Sequence, residues 1–260
     1  MKLLQASRVS LSFKGVRALD KVDLSIDQGE LVGIIGPNGS GKSTLFNVLS
    51  GIYRCDVGTI ELAAARIDGL APSQIVERGL VRTFQNKRLF GSMSVLENVL
   101  VAALKAKSGS PLGDVFGFSG SRRGMAEALE LAQHCLGRVN LSALASVQAR
   151  ELPYGAQNRL EIARALALEP RLLLLDEPAA GLNPAEREEL RGLIEKVHAG
   201  GVTIALVEHD VRMVTGLCRR VIALDHGVKI ADGPSEDVIR NPQVLEAYFG
   251  GATSEETSHA

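Results

Sequence analysis

Cysteine is scarce in this chain of 260 residues. Cys55, Cys135 and Cys218 lie far apart and form no CxxC pair. That excludes a disulfide framework or a structural zinc module and fits a reducing compartment, with each thiol serving as a small buried apolar group. An excess of one charge is also missing. Lys and Arg total 29 against 30 for Asp and Glu, a net charge of -1, so no strong field selects nucleic acid, and none is expected as a partner. Long apolar runs are absent too. No stretch approaches the roughly 18–20 apolar residues of a membrane helix. The run 172–175 is cut at once by Asp176 and Glu177, and Met1-Lys2-Leu3-Leu4-Gln5 lacks an apolar signal core. A soluble protein is expected, with any membrane role supplied by a partner.

What is present suffices for a substantial core. Hydrophobic residues make up 45% of the chain, enough for one or two domains. Apolar and polar residues alternate over 9–13 and 22–26, a strand signal, whereas 30–35 is almost continuously apolar, as a buried strand would be. A helix is expected over 42–49, stopped by Gly51. Short strands and one short helix near 73–78 follow. From about 86 to 150 the character changes. Val95, Leu96, Val99, Leu100 and Ala103 recur at helical spacing, as do Met125, Leu129, Ala132 and Leu136, with a Gly- and Ser-rich irregular connection expected over 108–124. An α/β pattern then resumes: a helix over 157–168, buried strands over 171–175 and 202–207, a helix marked by Leu190, Leu193, Ile194 and Val197, and two short strands joined by a turn at 225–227. No tandem repeat is present. Residues 251–260 carry few apolar groups and are expected to be a flexible tail.

Two segments carry recognisable chemistry. Gly36-Pro37-Asn38-Gly39-Ser40-Gly41-Lys42-Ser43 has the form GxxxxGK[ST], between a buried strand and a helix. The glycines let backbone N–H groups approach an anion, and the helix N-terminus adds favourable dipole charge. Lys42 is expected to reach the β- and γ-phosphates and the Ser43 hydroxyl to bind Mg²⁺. A glycine-rich turn without a ligand is the alternative, and the flanking strand and helix argue against it. In Leu172-Leu173-Leu174-Leu175-Asp176-Glu177 two carboxylates emerge from the end of a buried strand, where ligands of open α/β sheets bind. Asp176 is placed to hold Mg²⁺ through a water, and Glu177 to act as general base. Together these segments read as a P-loop NTPase of unspecified kind.

A third segment narrows the kind. Leu152-Pro153-Tyr154-Gly155-Ala156-Gln157 opens a helix shortly before the acidic strand, and here the chain resembles the ATP-binding cassette (ABC) family, whose signature has the form LSGGQ. The resemblance covers nearly the whole chain. It implies a RecA-like core, an antiparallel β subdomain and an inserted helical subdomain at about 86–165, within one ATP-binding domain over 1–250. It implies ATP and Mg²⁺ as ligands, with nucleotide contacts from Gly36 through Ser43 and Thr44, and from Phe13 under the adenine. Gln85, in Arg82-Thr83-Phe84-Gln85-Asn86, matches the Q-loop glutamine, a contact to both nucleotide and metal. Tyr154 and Gly155 occupy the signature, Asn183 lies in the D-loop Ala180-Gly181-Leu182-Asn183, and His209 matches the switch histidine. Catalysis is thereby assigned to Glu177, His209, Gln85 and Lys42. The signature departs from its pattern: Pro153 replaces Ser, Tyr154 the first Gly and Ala156 the final Gln. Proline offers neither a hydroxyl nor an N–H. Asn183 replaces the usual Asp.

Those departures, with Arg82-Thr83-Phe84-Gln85-Asn86, Leu89-Phe90, Ser94-Val95-Leu96-Glu97-Asn98 and the ending Ala247-Tyr248-Phe249-Gly250, look like the ATPases of branched-chain amino-acid importers. The resemblance implies a second ATPase subunit, a paralogue or another copy, two integral membrane permease subunits, and an external solute-binding protein acting indirectly. It places the chain in the cytoplasm, peripheral on the inner face of the membrane, with 86–101 as a docking surface. Related ATPases serve transporters of urea, amides and aromatic acids. Three other readings stay open: a regulatory ABC ATPase without a transporter, a non-hydrolysing nucleotide-binding module, and an exporter subunit.

Overall fold

A computed structural model of the chain describes residues 1–83, 89–107 and 118–249. Two compact units emerge: one comprises Met1–Leu80, Leu174–Glu177 and the described part of Thr203–Ala260, the other Val81–Leu173 and Pro178–Val202. The described residues of the expected helical insertion at 86–165 fall within the bounds of the second. Among the described residues no helix is long and apolar enough to cross a membrane.

The first unit begins with β1 (Lys2–Phe13) and β2 (Val16–Asp27), then β3 (Leu31–Ile35), α1 (Lys42–Leu49), β4 (Val57–Leu62), β5 (Ala65–Arg66) and α2 (Pro72–Glu77). Strand β6 (Leu80–Arg82) crosses into the second unit. An antiparallel four-stranded sheet has the order β2-β1-β4-β5. Its alternation is the one the sequence carries: Leu4, Ala6, Val9 and Leu11 of β1 and Leu19, Val22, Leu24 and Ile26 of β2 are buried. The β1–β2 turn has positive φ at both central residues, Lys14 at 47° and Gly15 at 87°, the geometry that matches strand twist in two-residue hairpins.

The second unit holds α3 (Val95–Lys107), α4 (Phe118–Arg138), α5 (Tyr154–Leu166) and α6 (Pro184–Ala199). Helix α4 differs from expectation twice. It starts at Phe118, so the segment up to 124 expected to be irregular is partly helical; Gly124 lies in open space, where a helical glycine costs only its propensity. Its buried face keeps the expected Ala132 and Leu136 but departs from expectation nearer the N-terminus. Ala128, Ala132, Cys135 and Leu136 are buried, while Met125 is exposed. Small residues at 128 and 132 suit a close approach of α3, which buries Val95, Val99 and Ala103. Helix α5 starts at Tyr154, three residues before the expected 157, because Pro153 provides a ready N-cap with φ -55°.

The chain returns through β7 (Leu172–Asp176), β8 (Thr203–Val207), α7 (Val211–Leu217), β9 (Arg220–Asp225), β10 (Val228–Pro234), α8 (Ser235–Ile239) and α9 (Pro242–Phe249). The second sheet has the order β10-β9-β3-β8-β7-β6, with β3 parallel to both β8 and β9. All five residues of each of β3, β7 and β8 are buried, as expected where both faces of a parallel sheet are covered. Gly33 lets α7 lie directly on β3: a Cβ there would fall 2.2 Å from a methyl of Val214.

Arg220 anchors the edge of this sheet. Its guanidinium donates to both oxygens of Asp232, at 2.7 and 3.0 Å, and to Glu30 at 3.0 Å, while Lys229 reaches Asp232 at 3.0 Å. Burial alone would raise the Asp232 pKa, but hydrogen bonds from Arg220 and Lys229 outweigh it and hold the carboxyl below its usual 3.8. A depressed carboxylate stabilises the fold above its unfolded pKa and loses that contribution as pH falls through the folded value. Asp232→Asn should therefore cost about 1 kcal/mol near neutrality, a charged hydrogen-bond value discounted for solvent exposure. In urea titrations the gap between the two proteins should narrow below pH 3.8; a gap constant down to strong acid would contradict this account.

Candidate functional site

The loop between β3 and α1 is shaped by two glycines. Gly36 has φ 152°, and a Cβ on it would meet the Leu224 carbonyl at 2.2 Å; Gly41 has φ 103°, and its Cβ would meet the Ala18 carbonyl at 2.9 Å. Neighbouring elements grip the loop. The Ser40 carbonyl accepts from Gly227 N–H in the β9–β10 turn at 2.9 Å, and the Gly227 carbonyl accepts from Asp20 N–H at 2.8 Å. At the loop's start Gly36 N–H donates to the Tyr248 hydroxyl of α9 at 2.8 Å.

Lys42 begins α1 and is only 4% exposed. Its ammonium donates to the carbonyls of Gly36 and Pro37 at 2.7 and 2.8 Å and lies 3.4 Å from Ser40 Oγ. Desolvation lowers its pKa, opposed by the charges of Glu177 and Asp176. Helix α1 has no side-chain cap and no acidic residue in its first turn, so its N-terminal dipole and N–H groups present an anion-binding end to the loop. The cradle that a Cβ at Gly36 or Gly41 would fill, the lysine and the uncapped helix end together fit a polyphosphate. Ser43 and Asp176 offer hydroxyl and carboxylate oxygens, the hard donors Mg²⁺ prefers. Among the described residues no group of three or more His, Cys, Asp or Glu side chains could hold a metal alone.

The acidic pair stands at the end of β7. Asp176 is buried. Glu177 has φ 48°, and its N–H donates to the Val207 carbonyl at 2.9 Å, which ties it to the end of β8. His209 follows that strand, and its Nε2 lies 2.5 Å from Glu177 Oε1. With Nε2 protonated, the imidazole donates to the carboxylate and fixes its orientation. Asp210 caps α7 through the N–H groups of Arg212 and Met213, which sets the chain direction just after His209. Lys42, Asp176, Glu177 and His209 thus lie in one unit, at strand ends and loops where ligands of open α/β sheets bind.

The remaining expected residues are placed as follows. Phe13 ends β1, 41% exposed, in a T-shaped contact with Tyr53 at 5.1 Å between centroids. Tyr154 and Gly155 form the first turn of α5 in the second unit. A Cβ on Gly155 would meet Glu186 Oε1 at 2.8 Å, and one on Gly181, φ 76°, would meet the Tyr154 ring at 3.1 Å, so the signature turn packs against the loop before α6. Asn183 caps α6: its Oδ1 accepts from Glu186 N–H at 3.0 Å and the Glu186 carboxylate accepts from Asn183 N–H at 3.0 Å. Asparagine does this as well as the usual aspartate. Gln85 lies outside the described residues.

Two residues escaped sequence reasoning. Asn158 of α5, 6% exposed, donates through Nδ2 to the Pro178 carbonyl at 2.8 Å, on the residue immediately after Glu177. Tyr248 is the other. Nothing local marks Asn158 as a partner of a residue 20 positions away, although Tyr248 stood within the Ala-Tyr-Phe-Gly ending.

Comparison with known proteins agrees with this geometry. A family model described as ABC transporter matches residues 19–180, and one described as branched-chain amino acid ATP-binding cassette transporter matches residues 228–253. The chain is 42% identical over 251 residues to the high-affinity branched-chain amino acid transport ATP-binding protein BraF of Pseudomonas aeruginosa, covering 96% of this chain and 98% of that one. It is 34% identical to the probable branched-chain amino acid transport ATP-binding protein LivG of Archaeoglobus fulgidus, covering 98% of each. A crystal structure of the ADP conformation of MJ1267, an ATP-binding cassette of an ABC transporter, superposes with a TM-score of 0.83 at 32% identity, over 96% of this chain and 99% of the other. The dimeric post-hydrolysis state of the cassette MJ0796, bound to ADP and Pi, gives a TM-score of 0.73 at 27% identity, over 89% and 98%.

Replacing Asn158 with Ala leaves the Pro178 carbonyl without its amide donor. The expected cost is about 1–3 kcal/mol of stability by chemical denaturation. Nucleotide turnover should fall more than nucleotide affinity, because the disturbed carbonyl belongs to the residue next to Glu177 rather than to the phosphate loop. Equal losses in both would disconnect Asn158 from the acidic pair.

Proposed function

The chain belongs to the ABC transporter family of ATP-binding cassettes, and from that premise we propose that it is the ATP-hydrolysing subunit of an importer for branched-chain amino acids. The observation that carries the catalytic part is the Glu177–His209 pair, in the same unit as a phosphate loop with a buried lysine. The solute class is supported by the names of the relatives and by the match at 228–253.

In the proposed mechanism the loop N–H groups, Lys42 and the α1 N-terminus hold the phosphates, and Phe13 stacks on the adenine. Mg²⁺, held by Ser43, Asp176 and Gln85, would offset phosphate charge. Glu177, aligned by His209, accepts the proton of a water whose oxygen attacks the γ-phosphorus; the bond to the bridging oxygen breaks and its electrons leave with ADP. Gln85 and His209 position that water and the γ-phosphate. Two cassettes close around two ATP molecules, so that Tyr154, Gly155 and Asn183 of one face the phosphate loop of the other. The dimeric state of the MJ0796 cassette with ADP and Pi supports pairing of two cassettes. The second cassette is a paralogue or another copy. Permeases dock on 86–101, where Phe90, Met93 and Val101 expose apolar surface, and hold the subunit at the inner face of the membrane. An external binding protein delivers solute to them.

Two measurements test this reading. Specific Mg²⁺-ATPase activity should rise with protein concentration, alone or with a paralogous cassette, and Glu177→Gln should lower turnover by about 10²- to 10⁴-fold while ATP still binds. Activity independent of concentration, or surviving in Glu177→Gln, rejects the shared site and the base. In vesicles carrying the permeases, ATP-driven uptake of leucine but not urea is the expected solute preference; the reverse preference rejects the assignment.

A further inference from the structure

Both peptide groups of Gly36 are committed. Its carbonyl accepts from Lys42 Nζ at 2.7 Å, and its N–H donates to Tyr248 Oη at 2.8 Å. The second bond joins residues 212 apart in sequence. With φ at 152° and the Leu224 carbonyl filling the space a Cβ would need, position 36 admits no side chain, so its backbone orientation is left to its hydrogen bonds, and the phenol is the partner its N–H meets. The helix that supplies this phenol is lightly anchored. Val244 is the only buried residue of α9, while Leu245 and Phe249 are exposed. Desolvation raises the Tyr248 pKa, opposed by the Gly36 N–H, so the group stays a neutral hydroxyl at physiological pH. A lightly held surface helix therefore reaches the start of the phosphate loop through one oxygen atom.

We propose that Tyr248 is a positioning residue for ATP binding: its hydroxyl fixes the Gly36 peptide, and through the Gly36 carbonyl it sets the place of the Lys42 ammonium. The inference rests on the ATP-binding reading above. Without the hydroxyl, the Gly36 peptide samples other orientations, and ATP binds only the fraction of molecules whose loop is in register, so apparent affinity falls by that fraction. Turnover of bound ATP changes little, because Glu177 and His209 are held by β7, β8 and α7, which Tyr248 does not touch through this bond. The docking of α9 thereby becomes a control on nucleotide affinity, and anything that lifts this helix weakens ATP binding without altering the catalytic carboxylate.

The test uses the full chain, with Mg-ATP affinity by calorimetry, ATPase KM and kcat, and thermal midpoints for three proteins. Tyr248→Phe keeps the ring and removes only the acceptor. Ile60→Val trims a buried residue of the antiparallel sheet, remote in sequence from α9 and the loop, and serves as the measure of general destabilisation. Tyr248→Phe should raise Kd and KM for ATP roughly five- to ten-fold with kcat within about two-fold, the size of one hydrogen bond. Ile60→Val should lower the thermal midpoint but leave Kd unchanged. A Tyr248→Phe protein that binds ATP as the wild type does, or an equal Kd shift in Ile60→Val, overturns the positioning role while leaving ATP binding intact. A wild-type chain that binds no ATP overturns the functional reading and this inference together.

Discussion

A lysine ammonium that is almost wholly withdrawn from water sets the terms for the rest of this molecule. Burying such a charge is costly unless oxygen atoms replace its hydration shell. Here the carbonyls of Gly36 and Pro37 and the hydroxyl of Ser40 do so, and that requires the chain to fold back over its own helix start. The fold-back produces the positive φ values at Gly36 and Gly41 and the absence of room for a Cβ at either. It also draws in supports from distant parts of the chain: the β9–β10 turn through Gly227, β2 through Asp20 and α9 through Tyr248. Asp176 and Glu177 complete the balance, since their negative charge opposes the desolvation of Lys42. A polyphosphate would offer the same ammonium stronger oxygen partners than the loop's own carbonyls.

How much of this was legible depended on distance along the chain. The phosphate loop, the acidic strand end and helix α1 are contiguous patterns, and α1 spans the expected 42–49. The three fully buried strands read as nearly continuous apolar runs, with Asp176 and Thr203 only at strand ends, for the same reason. Helices α7 and α8, with seven and five residues, are too short for a 3.6-residue period to show, and α9 buries a single side chain. In α4 the expected stripe held at Ala132 and Leu136 but not nearer the N-terminus. Met125 and Leu129 look like core by hydropathy, yet close packing of α3 selects Ala128 in that turn. The bonds from Asn158 to Pro178 and from Tyr248 to Gly36 leave no local trace, because each joins an ordinary polar side chain to a distant backbone group.

The departures in the signature become intelligible once the helix caps are placed. Pro153 cannot give the hydroxyl of the serine it replaces, but an N-cap must supply a carbonyl, and Pro153 does: its oxygen accepts from Gln157 N–H at 3.0 Å. Gly155 remains because the Glu186 carboxylate occupies the space its side chain would need. Glu186 in turn belongs to the capping box with Asn183. Residues that look like separate matches to a family pattern are thus one packed unit, in which the glycine and the asparagine answer to a single glutamate.

Glu177 shows why such packing matters for chemistry. A non-glycine residue at φ 48° costs about 1–2 kcal/mol relative to ordinary backbone and persists only where its surroundings over-determine it. They do so on both sides: the Glu177 N–H is held by Val207 of β8, and the next carbonyl, that of Pro178, is held by Asn158 of α5. His209 then fixes the carboxylate itself. In the proposed mechanism this carboxylate is the general base, and with so little conformational freedom its orientation is settled before any substrate arrives, so little reorganisation would remain for the proton-transfer step. The strain at Glu177 is therefore best understood as the structural cost of aiming one carboxylate.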